Sequence, residues 1–280
     1  VNLAKPETAG LIRRLVGWAD VLGEAWAPGV MAKLGLDYES CRQINPGIIY
    51  FSTCMLGQSG PHRDFTGVGN HLSAIGGFSH ATGWPDGEPT NVHTAYSDFI
   101  APWYVVIAVV GALLRRRKTG KCMHIEESQL EAALTFLGPH VLDYSANHNV
   151  LERKGNRDRY MSPHGVYPCR GADRWVAIAV QNDDDWQRLR AVMGDPDWAG
   201  DPRFGSVVER KQNEDELDQL LGQWTRGFPA EQVMAMLQGA GIAAGVVQTG
   251  QDLLSDPQLG ARQHFRRLNH PVLGPHPCNA

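Results

Sequence analysis

Apolar and polar residues along the first fifty positions follow a helix, strand, helix, strand order. Apolar residues recur at helical spacing over 8–16, and a short apolar segment follows at 19–23. A second helical region begins near Leu36, and Asn45-Pro46-Gly47 ends it before the β-branched and aromatic residues 48–52. Strands that are separated by crossover helices pair in parallel. The pattern therefore predicts an α/β domain with a parallel sheet.

Residues 56–97 break this pattern because they are rich in glycine. The glycines of this segment are Gly57, Gly60, Gly67, Gly69, Gly76, Gly77, Gly83 and Gly87. Glycine allows the backbone to approach a ligand closely, and loops of this kind often border binding sites. We expect loops here, and we expect some of their backbone N–H groups to face a ligand.

The most apolar segment of the chain predicts a long helix from about Asp98 to Lys118. Thr119-Gly120 gives a stop signal, and Pro102 together with the basic end of the segment argues against a membrane span. We expect a buried helix of a globular protein. A short strand at 124–126 should follow, and then a second long helix from Gln129 to about His148, capped by Ser128.

The second half of the chain has a different organisation. A clear strand covers 174–180, and a shorter one covers 243–247. Amphipathic helices are predicted between them, starting at Asn182 and then at 215–224 and 230–238. The predicted division is a large domain over residues 1–157, a smaller α+β domain over residues 158–257 and an extended tail over residues 258–280.

Composition and charge exclude several classes of protein. The formal net charge of −4 over 280 residues gives no electrostatic support for nucleic-acid binding. The five cysteines form no CxxC pair and are odd in number, so we expect neither a zinc site nor a disulfide framework. No charged and apolar leader with a cleavage site is visible, and this predicts a cytoplasmic protein.

Asp98 is the first candidate for chemistry, because it ends the glycine-rich segment and starts the long apolar helix. A carboxylate at this point is typical of a helix N-cap, which accepts backbone N–H groups. The same N–H groups and the helix dipole would keep the carboxylate ionised and oriented, as a nucleophile requires. A carboxylate that attacks a thioester forms a mixed anhydride and releases a thiolate. From the residues alone, both interpretations remain open.

Several ordered motifs resemble one family. Residues 24–38, EAWAPGVMAKLGLDY, are similar to the ENFxPGVMxRLGLdY segment of family III CoA-transferases, which include the formyl-CoA, carnitine and benzylsuccinate CoA-transferases. Further matches follow in order at 44–50 (INPGIIY), 57–61 (GQSGP), 119–121 (TGK), 155–157 (GNR) and 163–168 (PHGVYP). The resemblance covers nearly the whole chain.

The resemblance implies a function and a set of site residues. It implies an acyl-CoA:carboxylate CoA-transferase that acts through a covalent aspartyl intermediate on Asp98. It places coenzyme A contacts at Ala25, Trp26, Lys33 and Leu34, where Trp26 and Lys33 stand for the usual Phe and Arg. It also implies a Rossmann-like large domain, an interlocked homodimer, a CoA thioester as substrate, no permanently bound cofactor and no metal.

The chain departs from the family pattern at its start. The opening βαβ unit of the family, with its GAdVIKvE strand, has no counterpart before the matched motifs. We therefore expect an incomplete Rossmann-like domain and an activity that could be impaired by truncation. The tail over 258–280 resembles the stretch that returns to the large domain in the family.

Two alternatives accompany the transferase hypothesis. One is a non-catalytic binding or assembly protein that keeps the fold without turnover. The other is a 2-methylacyl-CoA racemase, which moves an α-proton by means of a histidine and a glutamate. The corresponding positions fall on Val68 and Asn182, neither of which can carry out that proton transfer. The racemase hypothesis therefore ranks below the other two.

Overall fold

The computed structural model describes residues 2, 3 and 5–279, and the chain divides into two compact units, Val1–Gly155 and Asn156–Ala280. The helices and strands of the first unit are, in chain order, α1 (Pro6–Trp18), β1 (Val21–Glu24), α2 (Val30–Lys33), α3 (Tyr38–Ile44), β2 (Ile49–Cys54), α4 (Gly69–Ile75), α5 (Phe78–Ala81), α6 (Tyr96–Thr119), β3 (Met123–Ser128), α7 (Gln129–Leu134) and α8 (Gly138–Asn147).

The first unit contains a three-stranded sheet in the order β1-β2-β3, and both strand pairs are parallel. The prediction of an α/β fold with a parallel sheet is therefore confirmed. Gly23 of β1 lies opposite Phe51 of β2. A Cβ atom on Gly23 would lie 2.0 Å from the Phe51 ring, so glycine is required at this position for the ring to cover the sheet.

One hydrophobic cluster fixes α1 and α3 against the sheet. Val16, Leu36, Cys41 and Tyr50 are almost completely buried in it. The Tyr50 hydroxyl donates to the Leu36 carbonyl at 3.0 Å, which satisfies its polar group inside the core. This packing orders the segment between β1 and β2, which contains most of the motif at residues 24–38.

Three expectations for the first unit differ from the structure. The segment 56–97 contains two short helices, α4 and α5, besides loops. The helix expected over 129–148 is divided, because Pro139 lies in the first turn of α8 and a short 3-10 turn, Thr135–Leu137, precedes it. The long helix α6 begins at Tyr96, two residues before Asp98.

The long helix α6 is buried on one side only. Ile100, Ala101 and Val105 face the interior of the first unit. Apolar side chains on the other side are half-exposed or exposed, and they include Phe99, Trp103, Val106, Ile107, Val110 and Leu114. The expectation of a buried helix is therefore wrong for that side. By length and composition, α6 is the one helix among the described residues that could cross a membrane, although core helices of soluble proteins meet the same criteria.

The second unit combines an antiparallel sheet with helices. Its elements are β4 (His164–Pro168), β5 (Trp175–Ala179), α9 (Asp183–Met193), α10 (Val207–Gln212), α11 (Glu214–Thr225), α12 (Ala230–Gly239), β6 (Ala243–Val246), α13 (Gly250–Ser255), α14 (Pro257–Ala261), β7 (Phe265–His270) and β8 (Gly274–Asn279). The sheet order is β4-β5-β6, and a core around Trp186, Phe204 and Leu217 supports it.

The last segment of the chain is more regular than the expected extended tail. The strands β7 and β8 pair as an antiparallel hairpin, with Phe265 opposite Asn279 and His270 opposite Gly274. Pro275 and Pro277 lie in β8. Proline lacks a backbone donor, which suits a strand at the edge of a sheet.

Candidate active site

Asp98 lies in the first turn of α6, at its third residue, and does not cap the helix. Ala95 occupies the N-cap position, and the Asp98 backbone N–H donates to the Ala95 carbonyl at 2.9 Å. The expected N-cap role is therefore wrong. The helix starts earlier because Tyr96 packs against Phe78 and the side chain of Ser97 is fully buried, and a sequence pattern does not contain these tertiary contacts.

The Asp98 carboxylate is close to the backbone of Gly69, the first residue of α4. A Cβ atom on Gly69 would lie 2.5 Å from Asp98 Oδ2 and 2.3 Å from the Ala95 Cβ. Real Cβ atoms do not approach other atoms so closely, so glycine at this position allows the carboxylate to lie against α4. The start of α4 and the start of α6 thus meet at Asp98.

Two buried serines hold Gly69 in this place. The Ser73 hydroxyl donates to the Gly69 carbonyl at 3.1 Å, and the Ser97 hydroxyl donates to the same oxygen at 3.5 Å. Both serine side chains are fully buried. A buried hydroxyl needs a hydrogen-bond partner, and here both partners are the same carbonyl.

The environment of the Asp98 carboxylate differs from that of a capping residue. No hydrogen bond or ion pair to this carboxylate occurs among residues 2, 3 and 5–279, and the residue is exposed. Partial removal of water by the surrounding protein raises the pKa of Asp98 above its ordinary value. Among the described residues no helix N–H group donates to this carboxylate, so the expected hydrogen bonds to its ionised form do not occur there. An ionised carboxylate of raised pKa is a stronger nucleophile than an ordinary aspartate.

A cavity of about 320 Å³ lies at the carboxyl ends of the parallel strands. This is the usual position of ligand sites in open α/β sheets. Its lining includes Ala25, Trp26, Ala27 and Pro28 after β1, Thr53, Cys54, Met55 and Leu56 at the end of β2, Gln129 of α7, and Arg63, Asp64, Phe65, Thr66 and Gly67. Gly67, which lines the cavity, stands two residues before Gly69 in the sequence, and neither Gly69 nor Asp98 is among the lining residues.

Polar contacts at the end of β1 hold the loop with Ala25 and Trp26. Glu24 is buried, and its Oε2 accepts the Trp26 backbone N–H at 2.7 Å. Gln58 of the GQSGP motif donates its side-chain amide to Glu24 Oε1 at 3.4 Å and its backbone N–H to Glu126 Oε1 at 2.8 Å. This motif therefore connects the ends of β1 and β3 behind the cavity.

The other two predicted coenzyme A contacts lie apart from this cavity. Lys33 is the exposed last residue of α2, and no ion pair of its side chain occurs among the described residues. Leu34 packs against the cluster that holds α1 and α3. A second cavity, of about 160 Å³, borders the same helix through Met31 and Ala32 and also contacts Tyr38. Of the four predicted contacts, the structure therefore brings Ala25 and Trp26 together and leaves Lys33 and Leu34 outside.

Several residues of the site were not singled out from the sequence. Met55 and Phe65 line the cavity, and Ser73 and Ser97 hold Gly69. In the sequence, only the glycines of the 56–97 segment indicated that this region borders a binding site. No group of three or more His, Cys, Asp or Glu that could hold a metal ion occurs within the described part of the chain.

Comparison with known proteins assigns the family. The model of CoA-transferase family III matches residues 1–280, and the chain belongs to this family. The succinyl-CoA–D-citramalate CoA-transferase of Chloroflexus aurantiacus is 32% identical over 274 residues, which cover 98% of this chain and 68% of that protein. The acetyl-CoA:oxalate CoA-transferase of Acetobacter aceti is 34% identical over 263 residues, which cover 94% and 67%.

A solved structure supports the same assignment. The crystal structure of a CaiB/BaiF family protein from Brucella suis is 30% identical, with a TM-score of 0.89 over 99% of this chain and 75% of that chain. The predicted family and the predicted α/β fold class are therefore confirmed. The chain covers only part of its relatives: for three curated CoA-transferases that it matches, it spans between 35 and 68% of the relative's own length.

Proposed function

We propose that this chain carries the catalytic centre of an acyl-CoA:carboxylate CoA-transferase and that Asp98 is its nucleophile. The observation that carries the proposal is the exposed Asp98 carboxylate, which has no hydrogen-bond partner among the described residues and lies against Gly69. A carboxylate held in this way can attack an acyl carbon. Family membership and the CoA-transferase names of the relatives supply the class of substrate.

The proposed reaction proceeds in four balanced steps. An oxygen of Asp98 attacks the thioester carbonyl, the C–S bond breaks, and a mixed anhydride and the CoA thiolate form. The thiolate attacks the aspartyl carbonyl of the anhydride and releases the donor acid as its carboxylate. The acceptor carboxylate then attacks the aspartyl-CoA thioester and displaces the thiolate again. The thiolate finally attacks the acceptor carbonyl, which gives the new thioester and regenerates Asp98.

We assign the coenzyme A arm to the cavity beside Ala25 and Trp26. The exposed half of the Trp26 ring offers an apolar wall, and the backbone of Ala25 lies beside it. Lys33 has a free ammonium group at the surface, which suits a phosphate of coenzyme A. Leu34 would act through the packing of α2. No permanently bound cofactor or metal is needed, because the CoA thioester is a substrate.

We also propose a cytoplasmic homodimer. The support for the homodimer is the exposed apolar side of α6, with Trp103 and Ile107 each about 70% exposed. Contiguous apolar surface of this kind is typical of protein interfaces. A domain division at residues 157 and 257 is part of the same proposal.

The test is the transfer of CoA to Asp98 itself. The protein is incubated with succinyl-CoA or acetyl-CoA and a panel of dicarboxylic acids, and new CoA thioesters and CoA-labelled peptides are measured by mass spectrometry. Asp98→Asn should abolish both, by at least about 1,000-fold. Asp86→Asn is the matched control, since Asp86 is an exposed aspartate outside the cavity.

Each other result favours a named alternative. Unchanged turnover in Asp98→Asn would contradict the proposal. Absence of CoA binding together with absence of Asp98 labelling would support the non-catalytic assembly protein. Deuterium exchange at the α-carbon of a 2-methylacyl-CoA would support the racemase, although Val68, next to Gly69, has no group that can transfer a proton.

A further inference from the structure

Gly69 contacts both the Asp98 carboxylate and two serine hydroxyls. Its Cα side lies against the Asp98 carboxylate, and its carbonyl accepts the hydroxyls of Ser73 and Ser97. The bond from Ser73 lies within α4, four residues along the helix. The bond from Ser97 connects α6 to α4 across 28 residues of sequence. Ser97, the residue before Asp98, therefore connects Gly69 to α6, the helix that carries Asp98.

Neither serine contacts solvent, so neither is placed to touch a substrate. Both have a relative exposure of 0%. Ser73 uses the i−4 carbonyl of its own helix, the usual acceptor for a helical serine, whereas Ser97 reaches the same carbonyl from another helix. Hydroxyls in such places restrict a neighbouring backbone rather than react.

The position of Gly69 decides where the carboxylate can lie. If Gly69 moved towards α6, it would displace the carboxylate. If it moved away, the carboxylate could rotate back towards the N–H groups at the start of its own helix, where aspartates commonly accept hydrogen bonds. A carboxylate that caps its own helix would be a poorer nucleophile, and it would also point in a different direction. A misplacement of about 1 Å can reduce a rate about 100-fold.

We propose that Ser73 and Ser97 are positioning residues for Asp98: their hydroxyls hold the Gly69 backbone against the carboxylate and thereby set its direction of attack. This proposal rests on the proposed function of Asp98. It predicts that both hydroxyls affect the rate of the chemical step and leave the binding of the acyl-CoA nearly unchanged. It also predicts that no side chain is tolerated at position 69.

The experiment compares threonine with valine at each serine position. Threonine and valine have almost the same shape, but only threonine can donate to the Gly69 carbonyl. The rate at which succinyl-CoA loads CoA onto Asp98 is followed in a single turnover, with acetyl-CoA as the second donor. We expect Ser97→Val and Ser73→Val to load about tenfold more slowly than Ser97→Thr and Ser73→Thr. The KM for the donor should stay within about twofold in each pair.

Further variants keep the test decisive if threonine and valine are too large for these buried positions. Ser97→Ala and Ser73→Ala remove the hydroxyl without adding atoms and should also load about tenfold more slowly. Gly69→Ala should load at least about 100-fold more slowly. Gly111→Ala is its control. Gly111 is a glycine within α6, and a Cβ atom placed on it has no neighbouring atom within 4 Å. Thermal unfolding identifies any variant that fails to fold.

The outcomes separate this inference from the function on which it rests. If CoA is found on a residue other than Asp98, the proposed function fails. If wild-type Asp98 is loaded and the threonine, valine and alanine variants load at equal rates, the positioning role is overturned while the nucleophile stands. If the variants change KM and not the loading rate, the serines support binding, and the positioning role is likewise overturned.

Discussion

The backbone N–H of Trp26 donates to Oε2 of the buried Glu24 side chain at 2.7 Å. This bond joins the last residue of β1 to the aromatic residue on the wall of the 320 Å³ cavity. The second Glu24 oxygen accepts the side chain of Gln58. One carboxylate therefore holds the loop that follows β1, and the cavity wall at Trp26 depends on it.

Replacement of Glu24 should weaken both the fold and the cavity. Glu24→Ala leaves the Trp26 N–H and the Gln58 amide without their acceptor, so we expect a loss of about 1 to 3 kcal/mol in the free energy of unfolding. The KM for the acyl-CoA should rise as well. Urea unfolding and steady-state kinetics measure the two effects. Glu39→Ala, which removes a surface ion pair with Arg42, should change stability by less than about 1 kcal/mol.

The Trp26 ring should contribute to acyl-CoA binding rather than to chemistry. The ring is half-exposed and lines the cavity, so Trp26→Ala removes apolar contact area for the arm of the substrate. We expect the KM for succinyl-CoA to rise about tenfold with a smaller change in kcat. Trp18→Ala is the control, because Trp18 is exposed at the end of α1 and does not line this cavity. Equal effects of the two substitutions would contradict the assignment.

The pH dependence of CoA loading should report the raised pKa of Asp98. In the proposed reaction the ionised carboxylate attacks the thioester, so the loading rate should fall as the pH drops through its pKa. Because partial desolvation raises that pKa, the fall should occur at higher pH than the ordinary value for aspartate, about 3.9. Single-turnover loading from pH 3 to pH 8 measures it. A midpoint at or below the ordinary value would contradict the proposed environment of the carboxylate.

Glu127 should destabilise the fold at neutral pH. Burial raises its pKa, with a smaller contribution of the same sign from Glu131, while a hydrogen bond from Thr53 opposes the shift. Its Oε1 is buried without a hydrogen-bond partner among the described residues. A carboxyl group with a raised folded-state pKa costs stability above that pKa and costs nothing below its unfolded value.

Removal of the Glu127 charge should therefore stabilise the protein only where the glutamate is ionised. We expect Glu127→Gln to raise the free energy of unfolding at pH 7.5 by about 1 kcal/mol, with the difference from the parent chain vanishing near pH 3. Chemical unfolding at a series of pH values measures both curves. A gain of equal size at all pH values would show that burial of the charge is not its cause.

The apolar side of α6 should mediate self-association. Ile107 is 70% exposed in the middle of this helix, so Ile107→Glu would place a charge within the proposed interface. We expect the dimer dissociation constant to rise on the order of 100-fold, measured by analytical ultracentrifugation. Val208→Glu, at an exposed valine of α10 in the second unit, should leave the association unchanged. A protein that is monomeric before substitution would contradict the homodimer proposal.

Sequence patterns predicted much of the local structure of the first unit. The parallel strands β1 and β2 lie within a residue or two of their predicted ranges, since alternating and β-branched residues report directly on strands. The cap of α7 by Ser128 is confirmed, and its hydroxyl accepts the Glu131 N–H at 3.4 Å. The helix predicted over 129–148 is divided after Leu134, because Pro139 lacks a backbone N–H and favours the start of a new helix.

The candidate site was predicted in part. The motif at residues 24–38 led to Ala25 and Trp26, which share a cavity, and to Lys33 and Leu34, which lie outside it. Motif positions indicate which residues a family uses, but they do not indicate which of them line one cavity in a given chain. That depends on how the ends of β1 and β2 and the segment 63–67 come together.

By itself, the sequence determined the family and the parallel order of the first strands, because both are written in short ordered motifs and in local periodicity. Only the tertiary structure decided that Asp98 lies inside the first turn of α6, against Gly69, with a raised pKa. The contact with Gly69 and the Ser97 bond join residues almost thirty positions apart. Periodicity and motif spacing carry no information about such contacts, since they arise when two helices pack.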